Sequence, residues 1–342
     1  MATRFLSVAL ALCCARMCAA QLSTFQVYHL VDRPIPVRIE QAVPPQPSTS
    51  PDTPAPPAPD LELELIRPAD PGAPGTTLSR VPVVAGLVDL STLFPILWTR
   101  QSPEQPPELL CVQLVSGGRR LGTPLVLQPL LTPSRATITD PRGLSVRFTP
   151  PAKITYSGLR IYTDQRVLLD TTAGPITIAL RPDSAPNTAW HFRHLVEGGF
   201  YATTTFHRVI ATTASGSPFM IQGGDPLGTG IGGPGFAIAL EPSTLRHEFG
   251  VVSMARLTQP DTAGSQFFIS LSRPAAAALD GAYAAFAQVV SGGDTVRAIA
   301  ASPVDPKDKP LEPIVIKSAS LVPAPPIGDG PPPEREPAPL SR

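Results

Sequence analysis

At 342 residues the chain is too long for one average domain and about right for two. Its 42% hydrophobic residues suffice for sizeable cores, whereas a formal net charge of zero offers no field to draw in nucleic acid or an anionic membrane, so basic-patch functions are set aside. The 45 prolines exceed the usual usage of about 5%, and they gather in the N-terminal half and at the end of the chain, marking linkers or irregular β-rich structure.

Residues 1–20 have the composition of an export signal. Arg4 provides a positive start, Phe5 to Ala15 an apolar stretch, and Cys18-Ala19-Ala20 a small-residue cleavage site before Gln21. The stretch is too short for a bilayer, which takes ~20 apolar residues. An exported protein (periplasm, cell surface or extracellular) with no integral membrane segment after signal removal is expected. Cys13, Cys14 and Cys18 leave with the signal, so Cys111 remains alone and no intramolecular disulfide forms. Within Leu109-Leu110-Cys111-Val112 it reads as a buried small hydrophobe.

Residues 21–160 read as an all-β module. Phe25 to Val31 has strand composition. Residues 43–60 (within them PPQPSTSPDTPAPPAP) carry almost no large apolar side chain and form a flexible, partly polyproline II loop. Short runs follow at Leu61 to Ile66, Val81 to Val88, Leu109 to Val115, Pro124 to Leu131 and Leu144 to Phe148, separated by Gly, Pro and Ser clusters. Glu62 and Glu64 alternate with leucine and take the solvated face of a strand. His29 has no second ligand-type residue near it and reads as a surface or core histidine. No cluster assigns a role to this module.

From residue 165 the segments become regular. VLLD (Val167 to Asp170), a turn, and PITIAL (Pro175 to Leu180) form strand, turn and strand. Pro182 to Gly198 is a helix with Pro186 near its start, Ala189, Phe192, Leu195 and Val196 on one face, and glycines at its end. A second helix over Thr295 to Ala300 is expected with Asp294 as its cap. Residues 323–342, rich in proline, read as a disordered tail, either linker or interaction segment.

Five segments carry chemistry: FHRVI (Phe206 to Ile210), FMIQGGDP (Phe219 to Pro226), GVVSMAR (Gly250 to Arg256), GSQFFI (Gly264 to Ile269) and LDG (Leu279 to Gly281). In this order they resemble the cyclophilin family of peptidyl-prolyl cis/trans isomerases, in a bacterial-like exported form, over residues 165–322. The resemblance implies a mainly β fold, a closed antiparallel β-barrel with two capping helices, preceded here by the smaller all-β module. It implies proline-containing polypeptides as substrates and folding of exported proteins as the role, with no cofactor.

The residues suit that reaction. Rotating an X-Pro bond costs about 18–20 kcal/mol of lost resonance and breaks no bond, so neither nucleophile nor metal is needed. Phe219, Met220, Phe268 and Leu279 would cup the proline ring. Arg208 would donate to the proline nitrogen as it regains a lone pair. Gln222, Gln266 and the main chain near Ala255 and Arg256 would hold the substrate backbone. His207 reads as a structural hydrogen-bonding group, Gly228 to Gly235 as tight turns rather than a phosphate loop, and His247-Glu248 as no metal site.

Four departures from the family pattern stand out. Ala211 to Ser217 lengthens the connection between Arg208 and Phe219; Ala278 stands where the best-studied members have tryptophan, which implies weak binding of cyclosporin-type inhibitors; Tyr283, at the pocket rim, replaces a histidine; and Ala287 stands where glycine is usual. The alternative reading is a proline-peptide-binding module without turnover, or an envelope scaffold.

Overall fold

The computed structural model describes residues 21–40, 60–99, 107–140, 145–149, 151 and 153–336. The expected export signal and nearly all of the Pro/Ser/Thr loop lie outside the described residues. The N-terminal module contains strands β1 (Gln21–Thr24), β2 (Tyr28–Leu30), β3 (Pro36–Glu40), β4 (Leu61–Arg67), β5 (Thr76–Val83) and β6 (Gly86–Asp89). After a short helix α1 (Leu90–Leu93) come β7 (Leu110–Ser116), β8 (Arg119–Leu131), β9 (Arg135–Asp140), β10 (Ser145–Thr149) and β11 (Tyr156–Thr163). They make a three-stranded sheet, β1-β3-β6, facing a six-stranded one, β2-β11-β8-β7-β4-β5. Leu22, Val37, Ile39, Leu63, Leu65, Val112 and Leu127 fill the space between them.

In β4 the period-2 alternation sends Leu61, Leu63 and Leu65 to that core, as expected. Glu64, on the opposite face, is not solvated: it is fully buried, and Arg120 (Nε, 2.8 Å), Arg80 (3.1 Å) and Thr77 all donate to it. The outer face of a half-buried strand faces water only where nothing else covers it, and here the adjoining strands and the end of the chain do. His29 is also buried, its ring nitrogens within hydrogen-bond distance of the Gln26 and Pro34 carbonyls.

The second half contains β12 (Gln165–Thr171), β13 (Gly174–Leu180), α2 (Pro186–Glu197), β14 (Thr205–Ile210), β15 (Met220–Asp225), β16 (Val251–Met254), β17 (Phe267–Ser270), α3 (Arg273–Ala276), β18 (Ala285–Ser291), α4 (Gly293–Ala300) and β19 (Ile316–Pro323). Eight antiparallel strands run in the order β14-β15-β17-β16-β18-β13-β12-β19. A bridge between Thr205 and Val315, with Phe206 N–H to Ile314 O at 2.9 Å and Ile316 N–H to Thr204 O at 2.8 Å, joins the first strand to the last and closes the barrel. Inside, Phe192 from α2 packs against Tyr201, Phe267 and Phe286 at ring separations of 4.9, 5.4 and 4.9 Å.

Both helix starts are satisfied from elsewhere. Ala185 offers α2 no side-chain cap, and the Glu241 carboxylate takes the Asn187 and Thr188 N–H groups at 3.0 and 2.7 Å. Asp294, expected as the cap of the last helix, lies inside α4, which starts after Gly292; it pairs instead with Arg297 at 2.8 Å.

The tail expected to be disordered makes hydrogen bonds to both halves as far as Glu334. Thr123 Oγ1 donates to Ala324 O (3.1 Å), Arg120 to Ile327 O (2.9 Å), and Ile327 N–H to Gln113 Oε1 (3.1 Å); Glu334 N–H donates to Val289 O (2.8 Å). Composition pointed to disorder because the tail cannot bury itself, yet it lies in the seam between the two halves. There Cys111, Val126 and Tyr162 pack with Trp190 of α2 and Ile327, and burial pushes the Cys111 thiol well above its ordinary pKa.

Candidate active site

Register builds the site. Arg208 on β14 lies opposite Gln222 on β15, Gln222 opposite Phe268 on β17, and Phe268 opposite Ser253 on β16. Strand alternation then puts these side chains, with Met220 and Gln266, on the outer face, while Val209, Ile221, Phe267 and Ile269 point into the barrel core. Four strands thus bring a cation, two amides and an apolar floor into one row.

Arg208 is about half exposed, and its Nε lies 3.5 Å from Asp308 Oδ2. Asp308 has φ 65° in a turn organised by Asp305, and its carbonyl takes the Val209 N–H at 2.7 Å, so the turn that carries this carboxylate is tied to the strand that carries Arg208. Gln222 Nε2 donates to Gln266 Oε1 (2.9 Å), and Gln266 Nε2 donates to the Gly230 and Gly232 carbonyls (3.0 and 2.9 Å). The amide chain is therefore oriented. The glycine loop is no phosphate cradle, since it wraps the Asp225 carboxylate; burial opposes ionisation there, but N–H donors from Leu227, Gly230 and Thr229 hold its pKa below the ordinary value. Gly224 has φ 84°, and a Cβ there would come within 2.6 Å of Ser265 O, so glycine is required.

Behind Phe268 lies a network that the sequence reading did not find. The His247 ring is nearly parallel to Phe268 (11°, centroids 5.9 Å apart) and fully buried. Asp280 Oδ1 accepts from its main-chain N–H and from Nδ1, both at 2.9 Å, leaving Nε2 to accept from the Ser253 hydroxyl at 2.7 Å. Burial lowers the His247 pKa against the pull of Asp280; burial would raise that of Asp280, but hydrogen bonds from His247 and Arg273 outweigh it and hold the carboxyl at about 2. Tyr283 meets Phe268 edge-on at 5.7 Å, and Arg256 stacks on Tyr283 at 4.3 Å.

Not every expected substrate contact stays open. The Arg256 guanidinium is committed to the Ala282, Leu257 and Thr258 carbonyls, and the Ala255 N–H to Gln266 O at 2.8 Å, so the main chain near Ala255 keeps only acceptors to offer. His207, the extra residue of a β-bulge, is buried; burial lowers its pKa against the pull of Asp225 and of Thr205 and Gln266 beside the ring, with neither ring nitrogen in a hydrogen bond of good geometry. Leu279 ends a 3-10 turn and joins the site through its carbonyl, which accepts from Tyr283 N–H at 3.1 Å.

The lengthened connection folds on itself, with Thr213 N–H to Ser217 O and Gly216 N–H to Thr213 O both at 2.9 Å. Ile210 O then takes the Phe219 N–H at 3.3 Å, so the excursion leaves both of its ends in register.

Residues 166–321 match the family model described as cyclophilin type peptidyl-prolyl cis-trans isomerase/CLD. Peptidyl-prolyl cis-trans isomerase-like 1 of Neurospora crassa is 38% identical over 161 residues, 46% of this chain and 93% of that protein. Peptidyl-prolyl cis-trans isomerase-like 3 of Dictyostelium discoideum is 37% identical, over 45% of this chain and 94% of that one. A crystal structure of a Cryptosporidium parvum cyclophilin type isomerase in the presence of the dipeptide Ala-Pro is 34% identical, covering 46% of this chain and 99% of that chain, with a TM-score of 0.42. Against larger relatives, such as peptidyl-prolyl cis-trans isomerase 9 of Schizosaccharomyces pombe, the match spans about a quarter of the relative's length (26%). With several relatives matched over nearly their whole length at more than 30% identity, the chain belongs, through its second half, to the cyclophilin type of peptidyl-prolyl cis-trans isomerases.

Proposed function

We propose that this protein catalyses cis/trans isomerisation of X-Pro bonds in polypeptides outside the cytoplasm and so assists the folding of exported proteins. The row Arg208–Gln222–Phe268 on one barrel face carries the reading. With the proline ring on Phe268, Met220 and Phe219, the Nη donors of Arg208 reach the proline nitrogen, whose lone pair returns only as the amide twists. A donor that binds the twisted state and not the planar one lowers the barrier. Asp308 keeps the guanidinium aimed, and the Gln222–Gln266 pair holds the substrate main chain. Shortening tens of seconds to milliseconds is ~10⁴-fold, or about 5–6 kcal/mol, within reach of a few aligned hydrogen bonds and a dry pocket. The signal-like residues 1–20 and a single buried cysteine beyond them support the extracytoplasmic location.

The test is exchange of a proline tetrapeptide, followed by NMR line shape, with the chain lacking residues 1–20 and with Arg208→Ala. A loss of ~10²-fold or more in kcat/KM with the fold intact is expected, the size seen when one transition-state donor is removed. Binding of the peptide without faster exchange in the unaltered chain would replace the enzyme with a proline-peptide-binding module.

A further inference from the structure

The N-terminal module sends an arm to the isomerase half. β9 and β10 form a two-stranded ribbon that belongs to neither sheet of the module. Its base is pinned where β8 and β11 end, by Thr132 N–H to Thr155 O (3.0 Å) and Thr155 N–H to Thr132 Oγ1 (2.7 Å). Farther along, Phe148 N–H donates to Asp261 Oδ2 at 2.8 Å, across the seam.

Asp261 is a buried carboxylate that joins two different pieces of chain. Its other oxygen takes the Leu240 N–H at 2.9 Å, and its neighbour Thr262 takes the Leu257 N–H at 2.9 Å. Thr262 lines a groove of about 450 Å³ that shares Gln222, Arg256 and Gln266 with the proline site, and Ile231, Phe236 and Leu257 on its walls are 85%, 57% and 65% exposed. The arm therefore stands beside the groove that receives substrate.

The arm has a definite open side. Phe148 pairs with Ala136, and since its N–H points away from β9 to Asp261, this is a non-hydrogen-bonded pair in the antiparallel ladder. The Ala136 N–H and C=O must then point outward too, on the edge of β9 away from the isomerase. Ala136 is exposed, and no strand among the described residues pairs with that edge.

We propose that the outer edge of β9 binds an extended segment of the same polypeptide whose X-Pro bond lies at Arg208, by addition of a strand. The occupant follows from continuity with the groove. Two strand spacings put the edge roughly 10 Å beyond Asp261, which three or four extended residues cover at ~3.3 Å each. The proposal rests on the isomerase reading for one end of the chain and adds a second hold some residues away. A long unfolded chain gains from both; a tetrapeptide reaches only the first.

The test compares three forms of the chain lacking residues 1–20: unaltered, Ala136→Pro, and one with residues 134–153 replaced by a two-residue turn. Proline at 136 removes the outward N–H and blocks strand addition without costing a bond between β9 and β10. Two probes are used, a proline tetrapeptide and a fluorescent, reduced and carboxymethylated unfolded protein containing prolines. Tetrapeptide kcat/KM should stay within about twofold in all three forms. Affinity for the unfolded protein by anisotropy, and kcat/KM toward its prolyl bonds, should fall about tenfold or more in both variants. A drop no larger than the tetrapeptide's would overturn the proposal and leave the arm a brace between the halves. If the unaltered chain turns over no tetrapeptide, the isomerase reading fails by itself, and the anisotropy still decides whether the edge binds.

Discussion

Arg208 and Asp308 show how much of this site depends on one exposed contact. The pair is half in water at 3.5 Å, a geometry worth about 0.2–1 kcal/mol, so Asp308→Asn is expected to lower tetrapeptide kcat/KM only about two- to fivefold, and the difference should shrink in 1 M salt. Arg208→Lys is expected to cost far more, because a rotating ammonium keeps the charge but loses the planar donors that Asp308 aims. Steady-state rates for both variants, with and without salt, separate aiming from charge. If Asp308→Asn matched the loss in Arg208→Lys, the carboxylate would be more than a positioning group.

Barrel strands were legible because their residues repeat with period 2 and the chemistry-bearing segments are contiguous in sequence: FHRVI, FMIQGGDP and GSQFFI each became one strand or its end. What escaped was set by partners far along the chain. Glu241 caps α2 from a loop, His247 backs Phe268, and Glu64 reads as solvent-facing until Arg120, from a strand two places along, is laid against it. That buried carboxylate makes an element-scale prediction. Burial raises its pKa, but hydrogen bonds from Arg120, Thr77 and Arg80 outweigh burial and hold it at about 2, below its ordinary 4.5. Its contribution is complete above pH 4.5 and lost as the pH falls toward 2, a gap of about 3 kcal/mol. Glu64→Gln is expected to cost a similar amount at pH 7 by leaving the largely covered Arg120 without its counter-charge, and to flatten acid unfolding between pH 4.5 and 2. Urea unfolding across that range measures both.

Residues 324–334 are shared between the two halves. Arg120 reaches Glu64, the Pro74 carbonyl and the Ile327 carbonyl together, and Arg160 and Arg193 both lie over the Trp190 ring at 4.5 and 5.0 Å. Removing residues 324–342 deletes the ties of Ala324, Ile327 and Glu334 at once. Calorimetry should then resolve two melting transitions where the intact chain gives one, with tetrapeptide turnover retained. A single unshifted transition would mean that the aromatic and arginine contacts alone join the halves.

The position of Ile327 also sets an order in time. Its partners Arg120 and Gln113 leave the ribosome 207 and 214 residues before it, and the whole isomerase half is synthesised in between. The first module can form its sheets early, but its ties to Ala324 and Ile327 wait until the isomerase half has been synthesised. A nascent chain stopped short of Ala324 can already make the Arg160–Trp190 stack and the Phe148–Asp261 bond, so the ties through Ile327 complete a seam that other contacts have begun.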